Sequence, residues 1–395
     1  MKAGWDSKPL GELLQKMETV NPLQSPDEEF CYIDVSSVSN KTFEIEETQK
    51  LLGKDTPSRA RRLVNTNDVL FATIRPTLQR IAIVTEKLDG QVCSTGYFVM
   101  KPKMELDHRF LFYFLFTEAF MNQMEALQKG ASYPAVTDAE VRAQIISFPP
   151  LPEQQRIVGI LDEAFEGIAT AKANAEKNLQ SARALFESHL HEVFTRRGEG
   201  WVERTLAEVS KDFGRGKSKH RPRNAPQLFG GKYPFIQTGD VRNSEHLITE
   251  YSQTYSEAGL AQSKLWPKGT LCITIAANIA ETGILGFDAC FPDSVIGVVA
   301  NDDITSNKFL EYLLQSFKSE LQAQGKGSAQ DNINLGTFEN QRFPFPPLQD
   351  QQAIATKLDC LREEIQRLES IYQQKLAALD ALKKSLLDQA FRGEL

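Results

Sequence analysis

Basic side chains gather in two stretches of this 395-residue chain. Lys54, Arg59, Arg61, Arg62, Arg75 and Arg80 face only Asp55 and Asp68 in the first. Lys211, Arg215, Lys217, Lys219, His220, Arg221 and Arg223 crowd a Gly- and Pro-broken second stretch beside Asp212. Arg and Lys on loops neutralise phosphates, and a bidentate Arg reads guanine in the major groove. Two Gly loops add to this: Lys129-Gly130-Ala131-Ser132-Tyr133 and Lys326-Gly327-Ser328-Ala329-Gln330-Asp331-Asn332. Gly lets backbone approach a ligand closely, while Ser, Gln and Asn donate and accept at base edges or phosphates. The chemistry expected is nucleic-acid binding, although the net charge is −7. The alternative is a pair of solvated basic loops and plain connectors.

No catalytic set stands beside these groups. Gly216-Lys217-Ser218 imitates the end of a phosphate-binding loop, but that motif needs Gly where Lys211 stands. Phe148-Pro149-Pro150-Leu151 and Phe345-Pro346-Pro347-Leu348 lack the leading polar residue and trailing aromatic of an amino-methyltransferase motif. Pro26-Asp27 and Pro292-Asp293 lack the acidic-x-Lys of a common nuclease core. His189 and His191 diverge if helical, which disfavours a shared metal. Cys31, Cys93, Cys272, Cys290 and Cys360 include no C-x-x-C pair, so a reducing compartment without structural zinc or disulfides is expected. With no signal-like start and no run of roughly 20 apolar residues, the expectation is a cytoplasmic protein without a membrane partner. A stand-alone DNA methyltransferase or nuclease with an unrecognised site is the competing reading.

What must position the basic loops is a duplicated frame. Phe148-Pro149-Pro150-Leu151-Pro152-Glu153-Gln154-Gln155 returns as Phe345-Pro346-Pro347-Leu348-Gln349-Asp350-Gln351-Gln352, shifted by 197. A helical stripe follows each: Ile157, Leu161, Ala164, Ile168, Ala171, Ala175, Ala182, Phe186 and Val193, then Ile354, Leu358, Leu361, Ile365, Leu368, Tyr372, Leu379 and Leu386. Spacings of three and four make a coiled-coil seam. Prolines and an acid open each helix, and Arg197-Gly198-Glu199 and Arg392-Gly393-Glu394 are expected to close them. About 40 residues give a rod of roughly 60 Å. The simplest cover for two such stripes is antiparallel pairing, with packing of each helix on its own globular segment as the alternative. The globular segments mix short strands and helices, opening at Trp5 and Trp201. The fold expected is α+β: an internal pseudo-two-fold repeat of two α/β domains separated by two long antiparallel coiled-coil helices. The boundaries read are 1–150, 151–197, 198–347 and 348–395.

Paired Pro-Pro-Leu-x-acid-Gln-Gln helices after two divergent segments, with Phe391-Arg392-Gly393-Glu394-Leu395 at the end, resemble the specificity subunit of type I restriction–modification systems. The resemblance covers essentially the whole chain. It implies a non-catalytic subunit whose two target recognition domains each read half of a bipartite double-stranded DNA site, with the helices setting the spacing. It implies two modification methyltransferase subunits as partners, with restriction subunits that translocate and cut DNA. S-adenosylmethionine and ATP with magnesium would be used by those partners, and no cofactor by this chain. Lys54, Arg59, Arg61, Arg62, Arg75, Arg80, Lys129, Ser132, Tyr133, Arg215, Lys217, Lys219, Arg221, Arg223, Lys326, Ser328, Gln330 and Asn332 are the candidate DNA contacts. Phe165, Phe186, Phe194, Leu376, Leu382 and Phe391 are the candidate docking residues for the modification subunits. Gln349-Asp350 in place of Pro152-Glu153 keeps the carboxylate and loses the Pro, while Arg75-Pro76 corresponds to Ala276-Ala277.

Overall fold

Buried β-branched and aromatic runs form the strands, and polar caps start the helices between them. The computed structural model describes residues 4–219, 222–276, 279–325 and 335–395. The first half runs β1 (Asp6–Pro9), β2 (Glu29–Ile33), β3 (Gln49–Leu52), β4 (Ala60–Val64), β5 (Val69–Ala72), β6 (Ile81–Ile83), β7 (Gln91–Ser94) and β8 (Tyr97–Met100). It continues through α1 (His108–Phe114), α2 (Glu118–Leu127), α3 (Asp138–Arg142), β9 (Ile145–Phe148) and the long α4 (Leu151–Thr195). The second half begins β10 (Val202–Arg204), β11 (Ser210–Arg215), β12 (Phe229–Phe235), α5 (Thr238–Asn243), β13 (Leu247–Ile248), β14 (Gln253–Tyr255) and α6 (Glu257–Ala261). It ends β15 (Leu271–Thr274), β16 (Thr282–Leu285), β17 (Val295–Ala300), α7 (Asn307–Ser316), α8 (Lys318–Gly325), α9 (Leu335–Asn340), β18 (Phe343–Phe345) and α10 (Leu348–Arg392).

Two compact units divide the chain: Met1–Glu176 with Gln373–Leu395, and Lys177–Tyr372. The cut falls inside α4 and α10, so each unit owns its own hydrophobic clusters and about half of each long helix. In the first unit Ile157, Val158 and Leu161 of α4 and Leu387 and Ala390 of α10 are buried with Phe71, Phe98 and Phe110. In the second, Leu190 and Phe194 of α4 and Leu358 of α10 are buried with Ile273, Ile296 and Phe309. Both expected modes of covering the helices are thus realised, on a core and on each other. The helices run antiparallel within each unit: Lys172 Nζ lies 2.6 Å from Asp380 in the first, and Arg183 Nε lies 2.6 Å from Glu369 in the second. Leu161, Ile168, Ala175 and Ala182, seven apart, are buried along α4, and Leu358 and Ile365 repeat the spacing on α10.

The cores share a frame. In the first, β5 sits between β6 and β8; in the second, β15 sits between β16 and β17, all antiparallel. The opening strand pairs with the strand before the long helix in each, Asp6 opposite Phe148 and Val202 opposite Phe345. Around this frame the first unit adds a β3-β2-β7-β4 sheet, and the second extends its main sheet with β11 and β13. At the helix ends the sequence expectation holds once. Gly393 takes a left-handed φ of 74°, but α4 stops at Thr195, and the left-handed residue there is Gly200 at 82° rather than Gly198.

Candidate nucleic-acid interface

Two loops of the first unit meet at one rim. After β5, Arg75 and Gln79 both take left-handed backbone around a short turn, which costs energy for residues with a Cβ. The loop after α2 holds that turn in place. Arg75 N donates to Pro134 O at 2.7 Å, and Val136 N donates to Thr73 O at 2.9 Å. Gly130, with φ 103°, lets this second loop turn, because a Cβ there would lie 2.9 Å from Tyr133 O. The Arg75 guanidinium donates to Ser132 O at 3.3 Å and lies 5.3 Å from the Tyr133 ring, which stays 71% exposed. Thr73 N donates to Gly96 O at 2.9 Å and Thr95 N to Arg59 O at 2.8 Å, so Arg59 joins the same rim. Lys129 projects from it, 3.1 Å from Glu140. Cation, aromatic face and backbone acceptor are thus side by side, the chemistry of base and phosphate contact.

Other residues of this cluster do different work. Arg62 is only 13% exposed, 2.8 Å from Asp138, and donates to Tyr97 O. It therefore ties β4 to α3 and is corrected from a DNA contact to a structural cation. Arg80 is half-buried and donates to Ser36 O at 3.2 Å and to Val38 O, clamping the turn after β2. Lys54 sits in a separate turn, its N donating to Pro26 O at 2.9 Å. Arg61 lies on β4, its guanidinium turned to Ala60 O at 2.7 Å.

In the second unit Arg215 ends β11, and exposed Lys217 and Lys219 follow. Gly216 is required there, since a Cβ would fall 2.2 Å from Phe291 O. Arg223 meets Asp293 at 2.7 Å on the wall of a pocket of about 390 Å³. Gln237, Gln253, Phe229 and Tyr255 line the same pocket, with Gln237 Nε2 donating to Gln253 Oε1 at 2.8 Å. The glutamines were missed from the sequence because they carry no charge and join only through β12–β14 pairing. Arg221, Lys326, Ser328, Gln330 and Asn332 lie outside the described residues.

The repeated motif also has a physical meaning. Gln154 is fully buried; its Nε2 donates to Glu105 O and Pro149 O at 2.8 Å each, and its Oε1 accepts from Asp107 N at 2.8 Å. Gln351 donates to Ile304 O at 3.0 Å and Pro346 O at 2.9 Å. Each staples the first turn of its long helix to the loop before α1 or α7. Two turns further on, Tyr113 donates to Asp162 at 2.5 Å and Arg109 pairs with it at 2.5 Å. Tyr312 and Lys308 meet Asp359 at 2.9 and 2.6 Å. Burial first, then the adjacent carboxylate, pushes both phenols up.

The expected docking residues separate on burial. Phe194 is buried against Phe309, so it is a core residue and is corrected as a docking site, whereas Phe391 is half-buried and packs on Phe110 and Phe114 at 4.7 and 5.8 Å. Phe165 and Phe186 are half-buried beneath Lys383 and Arg362. Leu376 is half-buried, whereas Leu382 is 46% exposed. Leu185, the same position one repeat earlier, is 59% exposed and was missed, although its identity with Leu382 off the buried stripe was a usable signal. Among the described residues no helix is long and apolar enough to cross a membrane.

The family model for the type I restriction modification DNA specificity domain matches residues 2–179 and again 198–376. The putative type I restriction enzyme MjaX specificity subunit of Methanocaldococcus jannaschii is 22% identical over 349 residues, 83% of this chain and 78% of its own length. The EcoKI specificity subunit of Escherichia coli K12 is 23% identical, over 77% of this chain and 69% of its own. A solved chain from work on assembly and conformational transition of a type I restriction–modification system has a TM-score of 0.90 at 29% identity, covering 100% of this chain and 99% of that one. The specificity subunit crystal structure from Thermoanaerobacter tengcongensis gives a TM-score of 0.72 at 29% identity, covering 100% of this chain and 98% of that one.

Proposed function

This chain belongs to the family of type I restriction–modification DNA specificity subunits, and on that premise we propose how its parts divide the work. It is a DNA-recognition component of a larger complex, and catalysis lies in other subunits. Each unit reads one half of a bipartite site, with the paired helices setting the gap. Leu185 and Leu382, equivalent and exposed, each receive one modification methyltransferase subunit. S-adenosylmethionine is used by those subunits, and ATP with magnesium by restriction subunits that join them in the cytoplasm.

The observation that carries the DNA reading is the rim of the first unit. There Arg75, in left-handed backbone, is held by the loop after α2 and lies over the exposed Tyr133 of that same loop. A fixed guanidinium loses little freedom on meeting a base. In the assembled complex, R75A is expected to cost about 1–3 kcal/mol of DNA binding and to relax the sequence read at one position. R59A/R61A is expected to weaken all sequences alike, with a shallower dependence of log affinity on log salt, by about one per lost phosphate contact. Both are read by binding titrations across a salt series against specific and scrambled DNA. Unchanged affinity and slope in all variants would remove this rim from the interface.

A further inference from the structure

The shift of 197 makes positions 165 and 362, 172 and 369, 183 and 380, and 186 and 383 equivalent on α4 and α10. Every described cross-helix pair among them joins one member of a class to the partner class. In the first unit Lys172 meets Asp380 at 2.6 Å and Lys383 lies 5.0 Å from the Phe165 ring. In the second, Arg183 meets Glu369 at 2.6 Å and Arg362 lies 5.4 Å from the Phe186 ring. The assignment is consistent: α4 supplies both cations of the ion pairs and both rings, and α10 supplies both anions and both ring-facing cations.

We infer that these eight residues form a pairing code that joins α4 to α10 and rejects like with like. In the same antiparallel register, two copies of α4 would set Lys172 against Arg183 twice, with only Phe165 against Phe186 to offset it. Two copies of α10 would set Glu369 against Asp380 and Arg362 against Lys383, repulsion at every position. Opposite charges across a seam stabilise it, and like charges select against it. A chain built from two similar halves faces this hazard, because another copy offers the same apolar stripe. The code therefore favours closure of one chain's α4 on its own α10 over pairing with the equivalent helix of another copy. The pairing is independent of the recognition reading.

The test uses the full chain, folded first and then cut at a protease site placed in the exposed 196–200 link. Native mass spectrometry then follows which pieces remain together after dilution and re-concentration. The native protein is expected to give only one N-terminal piece with one C-terminal piece. K172E/D380K keeps a salt bridge at 172–380, yet makes both like-with-like seams complementary at the ion pairs. Its N-terminal piece is expected to pair with itself roughly tenfold more than the native piece does. R183E/E369R, which applies the same exchange in the other unit, is expected to do so too. Equal self-pairing in native and exchanged proteins would overturn the inference. So would failure of both exchanged chains to fold, since the code treats the reversed pairs as equivalent. DNA binding is not read, so failure here leaves the recognition reading standing.

Discussion

The two units meet their long helices through equivalent residues of opposite chemistry. In the first, Phe112 and Phe165 occupy the positions that Glu311 and Arg362 hold in the second. Phe112 packs on Phe116 at 5.0 Å, Phe43 on Phe116 at 4.6 Å, and Phe165 on Tyr113 at 5.4 Å, with Lys383 above Phe165. In the second, fully buried Glu311 contacts His246 and stands 4.0 Å from Arg362, which donates to Gln315 at 2.8 Å and covers Tyr312 at 4.5 Å. An aromatic cluster stabilises by area and tolerates piecemeal change. A buried ionic cluster holds together only as a set, since removing one member strands the others. The same joint can therefore be filled in two ways, provided each is complete.

The largest expected effect comes from mixing the two solutions. R362F places the first unit's residue opposite an unchanged Glu311 and should destabilise by about 3–5 kcal/mol, because it removes one of the two basic groups that face a buried carboxyl. Adding E311F should recover at least half of that, measured by denaturant unfolding; no recovery would mean that the joints are not interchangeable. The Gln staples come next. Loss of a buried partner should cost about 1–3 kcal/mol for Q154A, and less for Q351A, whose Oε1 accepts no hydrogen bond among the described residues.

A pH series sharpens the contrast further. Burial holds the Glu311 carboxyl above its ordinary 4.5, against the opposing pull of His246 and Arg362 and with that of Asp359. A carboxyl raised on folding binds more protons folded than unfolded. Stability should therefore fall as pH rises from about 4.5 through the raised value, and this component should be flat below. E311Q should lack that fall in a melting-temperature series; an unchanged slope would place its origin elsewhere. The smallest effect on stability, within about 0.5 kcal/mol, is expected for L185E/L382E, which changes exposed side chains only. That variant should still lose the modification subunit in co-purification, and retention would exclude these leucines as the docking point.

The repeat and the helical stripes were legible because a heptad pattern and a Pro-Pro start act locally. The order of β6-β5-β8 and β16-β15-β17 was not, since pairing depends on contacts far apart in sequence. Arg75, Ser132 and Tyr133 were readable as residue types, and their meeting was supplied by the backbone bonds of Arg75 and Val136. Arg62 misled because a charge reads the same on a rim or buried against a carboxylate. Phe194 misled because an apolar residue on a helix carries no label for which neighbour covers it.

The Gln staples hold main chain and nothing else: the carbonyls of Glu105, Pro149, Ile304 and Pro346, and the amide of Asp107. Every residue offers the carbonyl, and every residue but proline the amide, whatever its side chain. The socket at the head of each long helix is therefore indifferent to the text of the segment plugged into it. A foreign segment that keeps the backbone path before α1 or α7 would be held at this turn as well as the resident one, while the rest of the joint would still have to match the aromatic filling beside Phe165 or the ionic one beside Arg362.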